Sequence, residues 1–327
     1  MLKSDNGDIR FLCLKIITDI LVRYLNDPNM YDAREANHEC TYAINNFIMK
    51  KLLPHYRFIL EDQDPVPLYG LKLLNNIAQH NAGFIAVISK MDLTSLIFNF
   101  FELEHRNNNV HNVRLILKIV AADVMDPEQM YRMEIVKKLN DVLEYAFDNN
   151  VDTFYESCLN IADHLLYRSS KMIHKSKGSS NANDREQAEK TYKHNEAFTN
   201  NIAVYVALSS HQDPSIAESS AHVLLMMIQQ YPSTHEYLFS TNGLSYLKKG
   251  LLENMKEDET NIELTNQNVI KYLLKCVHVV LNNNNKYVNR LLREDMIRLA
   301  IERLVEEKSK GDEISTTAEA IMKKLNG

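Results

Sequence analysis

The side chains that could do chemistry are few, and their spacing argues against catalysis. His38-Glu39-Cys40 has metal-competent groups. Neighbouring helical residues point about 100° apart, however, so three in a row spread around the axis and cannot converge on one ion. His164 and His278 ride on helical stretches, where a packed or hydrogen-bonded surface role is the ordinary one. With only 8 Gly in 327 residues and no Gly-Lys-Ser/Thr, nothing can cradle a nucleotide phosphate. Cys13, Cys40, Cys158 and Cys276 lie far apart, like free thiols of a reducing compartment and unlike a disulfide framework or a zinc site. No catalytic, cofactor-binding or metal-ligating residue is expected, and the chain reads as not an enzyme.

What remains is the chemistry of recognition. Amide and charged side chains recur on one flank of successive helices: Asn75, Asn76 and Gln79, then Arg114 and Lys118, then Asn160 and Asp163, then Gln229 and Gln230, then Lys271 and Lys275. Amides so placed can hydrogen-bond an extended peptide backbone whatever its sequence, while the Arg and Lys favour acidic partner segments. The competing reading is that these are solvated helix flanks of mixed sign.

The helices that must position them repeat. An apolar residue, two others, a second apolar residue and a small or apolar one occur as Leu74-Asn75-Asn76-Ile77-Ala78, Leu117-Lys118-Ile119-Val120-Ala121, Cys158-Leu159-Asn160-Ile161-Ala162, Leu225-Met226-Met227-Ile228-Gln229 and Leu274-Lys275-Cys276-Val277-His278. A second helix type follows. Leu93 comes after Leu74, Val136 after Leu117 and Leu244 after Leu225, each by the same 19 residues, and Ile297 follows Leu274 by 23. The whole unit is about 43 residues, the period of helical solenoids whose units bury their faces only against neighbours. Asp-Pro at Asp64-Pro65, Asp126-Pro127 and Asp213-Pro214 stands ahead of helical patterns, so Asp64 is expected to cap a helix with Pro65 in its first turn. Earlier helices are expected over Asp8 to Leu25 and from about Arg34 to Leu53, the latter broken by Pro54. The Asn runs Asn107–Asn109 and Asn282–Asn285 read as loops between helices.

One unit departs from the rule. From Ser169 to Asn183 there is no apolar period, which predicts a flexible insertion at about 169–195 before the helical pattern resumes at Phe198 to Leu208. Lys171, Lys175 and Lys177 among Ser169, Ser170, Ser176, Ser179 and Ser180 make that stretch a basic, phosphorylatable loop. Met226, Met227 and Tyr231 would add an adaptable surface to a binding face. A last helix near Ile314 to Leu325, apolar at Ile321 and Leu325, looks like a partial cap.

Composition agrees with helices throughout. The sequence is 45% hydrophobic, with only 7 Pro beside its few Gly. A net charge of −6, from 43 acidic against 37 basic residues, argues against a general nucleic-acid binder. No window has the roughly 18 apolar residues of a membrane span, so neither nucleic acid nor membrane is an expected partner and the location reads as cytoplasmic.

These residues resemble the armadillo/HEAT family. The resemblance runs over roughly residues 60–305 and rests on a third-helix pattern such as Ala221-His222-Val223-Leu224-Leu225-Met226-Met227-Ile228, on its Asp-Pro start and on the following Gly243-Leu244. Gly83 and Gly243 match the small residue that armadillo repeats carry between their first two helices, and the unit around Met133 lacks it. The implied fold is all-α: one right-handed α-solenoid of armadillo/HEAT-like repeats over residues 1–327.

More narrowly, Asp8-Ile9-Arg10-Phe11-Leu12-Cys13-Leu14-Lys15 and Leu68-Tyr69-Gly70-Leu71-Lys72-Leu73-Leu74-Asn75-Asn76 resemble the repeat region after the kinase or pseudokinase domain of Fused-type Unc-51-like kinases. That group is associated with cilia and Hedgehog signalling. No His-Arg-Asp or Asp-Phe-Gly of a kinase lobe is present, and a chain that begins almost directly in a helix reads as a fragment of something longer. The expected function is a non-catalytic scaffold holding a partner peptide or helix along the concave side. The alternatives are a structural component of a ciliary, axonemal or cytoskeletal assembly, bound through outer helices around Lys137 or Lys248, and the regulatory repeat region of such a kinase.

Overall fold

A computed structural model describes residues 2–102, 109–179, 181–257, 262–306 and 313–326. The chain divides into two compact units, Met1–Tyr145 and Ala146–Gly327.

In the first unit the helices are α1 (Gly7–Leu25), α2 (Glu39–Phe47), α3 (Tyr56–Leu60), α4 (Val66–His80), α5 (Gly83–Lys90), α6 (Thr94–Asn99), α7 (Val110–Ala121), α8 (Pro127–Arg132) and α9 (Ile135–Asp148), the last turn of α9 falling past the boundary. Long helices pack side by side in the order α1, α4, α7. Each is amphipathic with a broad apolar stripe: Leu71, Leu74, Ile77 and Ala78 of α4 are buried, as are Val113, Ile116, Ile119 and Val120 of α7. The shorter α3 and α6 pack together as a second layer, with Leu93 and Phe98 buried. Arg10 grips both carboxylate oxygens of Asp62 at 2.6 and 2.7 Å, tying α1 to the turn ahead of α4.

The second unit holds α10 (Tyr155–Gly178), α11 (Ala182–Asn195), α12 (Ile202–Leu208), α13 (Pro214–Gln230), α14 (His235–Leu238), α15 (Thr241–Glu253), a short antiparallel hairpin of β1 (Met255–Glu257) and β2 (Ile262–Leu264), then α16 (Gln267–Asn283), α17 (Val288–Leu291), α18 (Asp295–Glu306) and α19 (Glu313–Asn326). The long helices again pack in succession, α10 on α13, α13 on α16, α16 on α19. Behind them α12, α15 and α18 form a second row. Short helices such as α8, α14 and α17 lead from one long helix to the next second-row helix. Three-helix, armadillo-like units are therefore the rule, including the unit around Met133, where α8 supplies the first helix. Ile314, Ile321 and Leu325 of α19 are buried and Lys323 and Lys324 exposed, the apolar and outward faces expected of this helix.

Several sequence expectations need correction. Residues 169–178 and 182–195 are helical: α10 continues to Gly178 and α11 returns along it. What docks α11 is not a stripe of large apolar residues but Ala188, Thr191 and Asn195, all buried, with the Asn195 amide donating to the Leu165 carbonyl at 3.0 Å and the Tyr192 ring 4.8 Å from that of Tyr231. Ion pairs at i, i+4, Lys190 with Glu186 and Lys193 with Glu189, support its outer face. The basic phosphorylatable loop is thus a helical hairpin. Ser169 is fully buried, Ser179 bonds Asp184 at 2.9 Å, and Ser180 lies outside the described residues.

Asp126 and Asp213 do cap α8 and α13, accepting from Glu128 and Ser215 N–H. Asp64 does not cap α4, because the helix begins at Val66 with Pro65 itself in the capping position. The second helix starts at Glu39, not Arg34, and passes through a π turn (Ile48–Leu52) and a 3-10 turn at Pro54 into α3 instead of breaking there. Asn109 caps α7, while Asn107 and Asn108 lie outside the described residues.

Candidate functional site

Most of the polar residues singled out from sequence are exposed or half-buried on the long helices of each unit. In the first unit α4 and α7 run side by side. The Lys118 ammonium donates to the Asn75 side-chain oxygen at 2.9 Å, fixing the register. Asn75 is only 3% exposed, so it is a buried anchor for Lys118 and not an exposed contact residue as expected. Asn76 is half-buried and donates to the Lys72 carbonyl at 2.8 Å, while Gln79 and Arg114 are exposed.

Sequence reasoning missed three neighbours. His111 stands two turns before Lys118 on α7, with the foreseen Arg114 between them, and Lys72 stands one turn before Asn76 on α4. Tyr69 joins them, edge-on to Phe11 at 5.1 Å with the Lys72 ammonium 6.0 Å from its ring centre. The His111 imidazole is held below its ordinary range by burial and by the positive charges of Lys72, Arg114 and Lys118. Burial and Arg114 likewise pull the Lys118 ammonium down.

In the second unit the same flank carries a different pattern. Asn160 and Asp163 of α10 are half-buried, and an Asp163 oxygen lies 2.9 Å from His222 Nδ1 on α13. The His222 ring in turn lies 5.0 Å from that of Tyr272 on α16. Lys271 donates to Asn268 at 3.0 Å and sits over Tyr272, Asn268 donates to Glu218 at 2.9 Å, and Lys275 pairs with Glu313 of α19 at 2.5 Å. Burial, with the carboxylates of Glu218, Asp163 and Glu313 around it, raises the Tyr272 phenol. Gln229 is exposed at the end of α13, and Gln230 turns inward to donate to the Leu166 carbonyl at 3.3 Å.

His222, Tyr272, Glu218, Asn268 and Glu313 were not foreseen, although His222 and Glu313 pair with the foreseen Asp163 and Lys275, and Asn268 and Tyr272 each stand three residues from a foreseen lysine. Met226, Met227 and Tyr231 are buried, so they pack the interior and add nothing to this face.

The other reactive groups behave as packing. Cys158 and Cys276 are fully buried, and burial drives their thiols well above the ordinary range. Cys13 and Cys40 are free and half-buried. His38 is exposed at the start of α2 and His164 is exposed, while His278 lies 2.9 Å from the Asn282 amide. Among the described residues no group of three His, Cys, Asp or Glu can hold a metal ion, and no helix is long and apolar enough to cross a membrane. The arrangement is a polar track across parallel helices, suited to binding.

Comparison with known proteins supports the same architecture. Residues 1–86 match the family described as serine/threonine-protein kinase ULK4-like HEAT repeats, and residues 92–326 match the RUNKEL ARM-repeat domain. The chain is 27% identical over 166 residues to the serine/threonine-protein kinase RUNKEL of Arabidopsis thaliana, covering 51% of this chain and 12% of that protein. It is 24% identical over 323 residues to the mouse serine/threonine-protein kinase ULK4, covering 93% of this chain and 24% of that protein. It therefore spans a quarter or less of either relative. Among solved structures, a designed armadillo repeat protein shares the fold at TM-score 0.53 and 17% identity, covering 84% of this chain and 100% of that one. Designed armadillo proteins for modular peptide recognition match at TM-score 0.56 and 16% identity, with 84% and 100% coverage. One in complex with the peptide (KR)4 matches at 0.52 and 17%, with 84% and 99% coverage.

Proposed function

Since this chain belongs to the RUNKEL ARM-repeat domain family, we propose that it is a non-catalytic interaction scaffold holding a partner peptide or helix along the polar flank of its long helices. The observation that carries the reading is the succession of amides and charged groups at matching levels on adjacent helices, α4 to α7 in one unit and α10 through α13, α16 and α19 in the other. A ligand crossing such helices meets a new set of donors every helix spacing, about 8–10 Å, which suits an extended peptide. The designed proteins with which it shares a fold include one bound to a peptide, which supports a protein partner. Within this reading the contact residues are Asn76, Gln79, Arg114, Lys118, Asn160, Asp163, Gln229, Lys271 and Lys275, with Asn75 and Gln230 as supports.

The test is selection of displayed random peptides on the whole chain, followed by affinity measurement on variants. Asn76→Ala, Gln79→Ala and Arg114→Ala combined should weaken the selected peptides at least about tenfold, as loss of two or three hydrogen bonds requires. Lys137→Ala and Lys249→Ala, exposed on the second-row helices α9 and α15, should leave them unchanged. The opposite pattern, loss only at Lys137 and Lys249, would refute the reading in favour of attachment through the outer helices.

A second reading has its own support. Both named relatives are serine/threonine-protein kinases several times longer than this stretch, so the repeats would serve as a regulatory module beside a kinase or pseudokinase domain. Binding of the 327-residue chain to the isolated kinase domain of the same gene product would support it, and absence of binding with peptide capture intact would dismiss it.

A further inference from the structure

The two polar flanks differ in how their charges are spent. In the second unit the charged groups answer each other: Asp163 with His222, Lys275 with Glu313, Glu218 and Lys271 through Asn268. In the first unit Lys72, Arg114 and Lys118 share one surface with His111, and among the described residues none of the three is paired with a carboxylate. Lys118 spends one N–H on Asn75, the Lys72 ammonium is in reach of the Tyr69 ring, and the Arg114 guanidinium, with its five donors, is exposed. The His111 Nδ1 is buried without a partner.

Burial first, and the neighbouring positive charges after it, depress the affinity of His111 and Lys118 for protons, and concentrating like charges this way costs the free protein stability. Structures tolerate such clusters where an anion neutralises them. Asn109 caps α7 one turn before this point, so the helix N-terminus adds further positive potential around His111.

We propose that the α4/α7 flank is an anion subsite, built from Lys72, His111, Arg114 and Lys118, that receives a phosphorylated side chain of the bound peptide. This rests on the peptide reading above and narrows it. A carboxylate would answer one of three cations. A phosphate brings close to two negative charges and three acceptor oxygens, which matches an Arg fork and two ammonium groups. Neutralising the cluster removes the part that Lys72, Arg114 and Lys118 add to the effect of burial on His111, so occupancy should shift the imidazole upward.

The experiment is fluorescence anisotropy of the whole chain with three pools of labelled octapeptides, degenerate at the flanks and bearing phosphoserine, serine or glutamate at the centre. The phosphoserine pool should bind at least about tenfold tighter than serine and severalfold tighter than glutamate. Arg114→Gln and Lys72→Gln, neither of which removes a core contact, should each lower phosphoserine binding far more than serine binding and so erase much of that preference. Lys137→Gln should do nothing. The His111 ring, followed by NMR, should titrate at higher pH when the phosphoserine pool is bound. Equal binding of phosphoserine and serine pools would overturn the subsite and leave the peptide reading standing, whereas no binding by any pool would overturn both. Glutamate binding as well as phosphoserine, or an unmoved His111 titration, would also sink the proposal.

Discussion

Gly243 and Gly83 both stand near the start of a helix, Gly243 in α15 after the short α14 and Gly83 in α5 after the long α4, yet the same substitution should be costly at one and nearly neutral at the other. A methyl group on Gly243 would stand 2.6 Å from the Leu238 carbonyl oxygen and 2.8 Å from its carbon, with the Tyr237 oxygen nearer still. These are backbone atoms at the end of α14, and the Tyr237 carbonyl is already holding the Ser240 N–H at 2.9 Å. Restoring ordinary contact needs a shift of about 1 Å, and α15 cannot make it without dragging buried Leu244 and Leu247. Overpacking of this kind costs about 1–3 kcal/mol, against at most about 1 kcal/mol gained from alanine's better helix propensity. With backbone rather than a side-chain tip in the way, the upper half of that range applies, and Gly243→Ala should lose about 2 kcal/mol, or about 4–8 °C in Tm. At Gly83 the added carbon would meet only the Asn81 side-chain oxygen, at 3.0 Å, so Gly83→Ala should stay within about 0.5 kcal/mol of the parent. Thermal and urea unfolding followed by circular dichroism would decide. A Gly243→Ala protein as stable as the parent, or a Gly83→Ala protein equally damaged, would refute the close approach of α14 and α15.

Three further outcomes follow from the packing. Tyr205 is fully buried with a hydroxyl that finds no partner, so Tyr205→Phe should be neutral or stabilising by about 1 kcal/mol in urea titrations, and a clear loss would mean the hydroxyl is satisfied. Glu236 receives Lys286 at 2.8 Å, Arg290 at 2.7 Å and Tyr287 at 3.1 Å, which hold its carboxyl down to about 2 from an ordinary 4.5. Its contribution is therefore complete above pH about 4.5 and lost as pH falls toward 2, and Glu236→Gln should flatten that part of the stability profile, an unchanged acid limb counting against the network. For α11, hydrogen exchange should find residues 183–195 protected in the parent and markedly less so in Tyr192→Ala, where free exchange in the parent would restore the flexible loop expected from sequence.

What the sequence discloses about this fold is what every unit must repeat. Leu74, Cys158, Leu225 and Leu274 are buried in the long helices, and Leu93, Val136, Leu244 and Ile297 are buried in or beside the helices that follow, as residues that pack one repeat on its neighbour must be. Leu117 is the exception, half-buried, since α7 turns Ile116 and Ile119 inward instead. The hairpin of α10 and α11 escaped notice for a physical reason: its contact is made by Ala188, Thr191, Asn195 and one tyrosine, which leave no mark on a search for large apolar residues at helical spacing. The short helices α8, α14 and α17 are too brief to show any period.

The candidate site was less legible than the fold, and the reason is built into repeat proteins. Burial between units constrains the same few positions each time, so it writes a period, whereas the exposed flank is free to differ from helix to helix. Asn75 illustrates how a period alone misleads: it holds the second place of the repeated signature as Lys275 does, yet it is buried and spent on Lys118 while Lys275 remains half-exposed. Only the register between α4 and α7 distinguishes the two, and that register also brings Lys72, 46 residues before Lys118 in sequence, onto the same surface. Charge balance across neighbouring helices thus carries the functional information that periodicity cannot. In the second unit the balance closes on itself, through Asp163 with His222 and Lys275 with Glu313. In the first it stays open, and an open balance of positive charge on a partly desolvated surface is where an anionic ligand gains most.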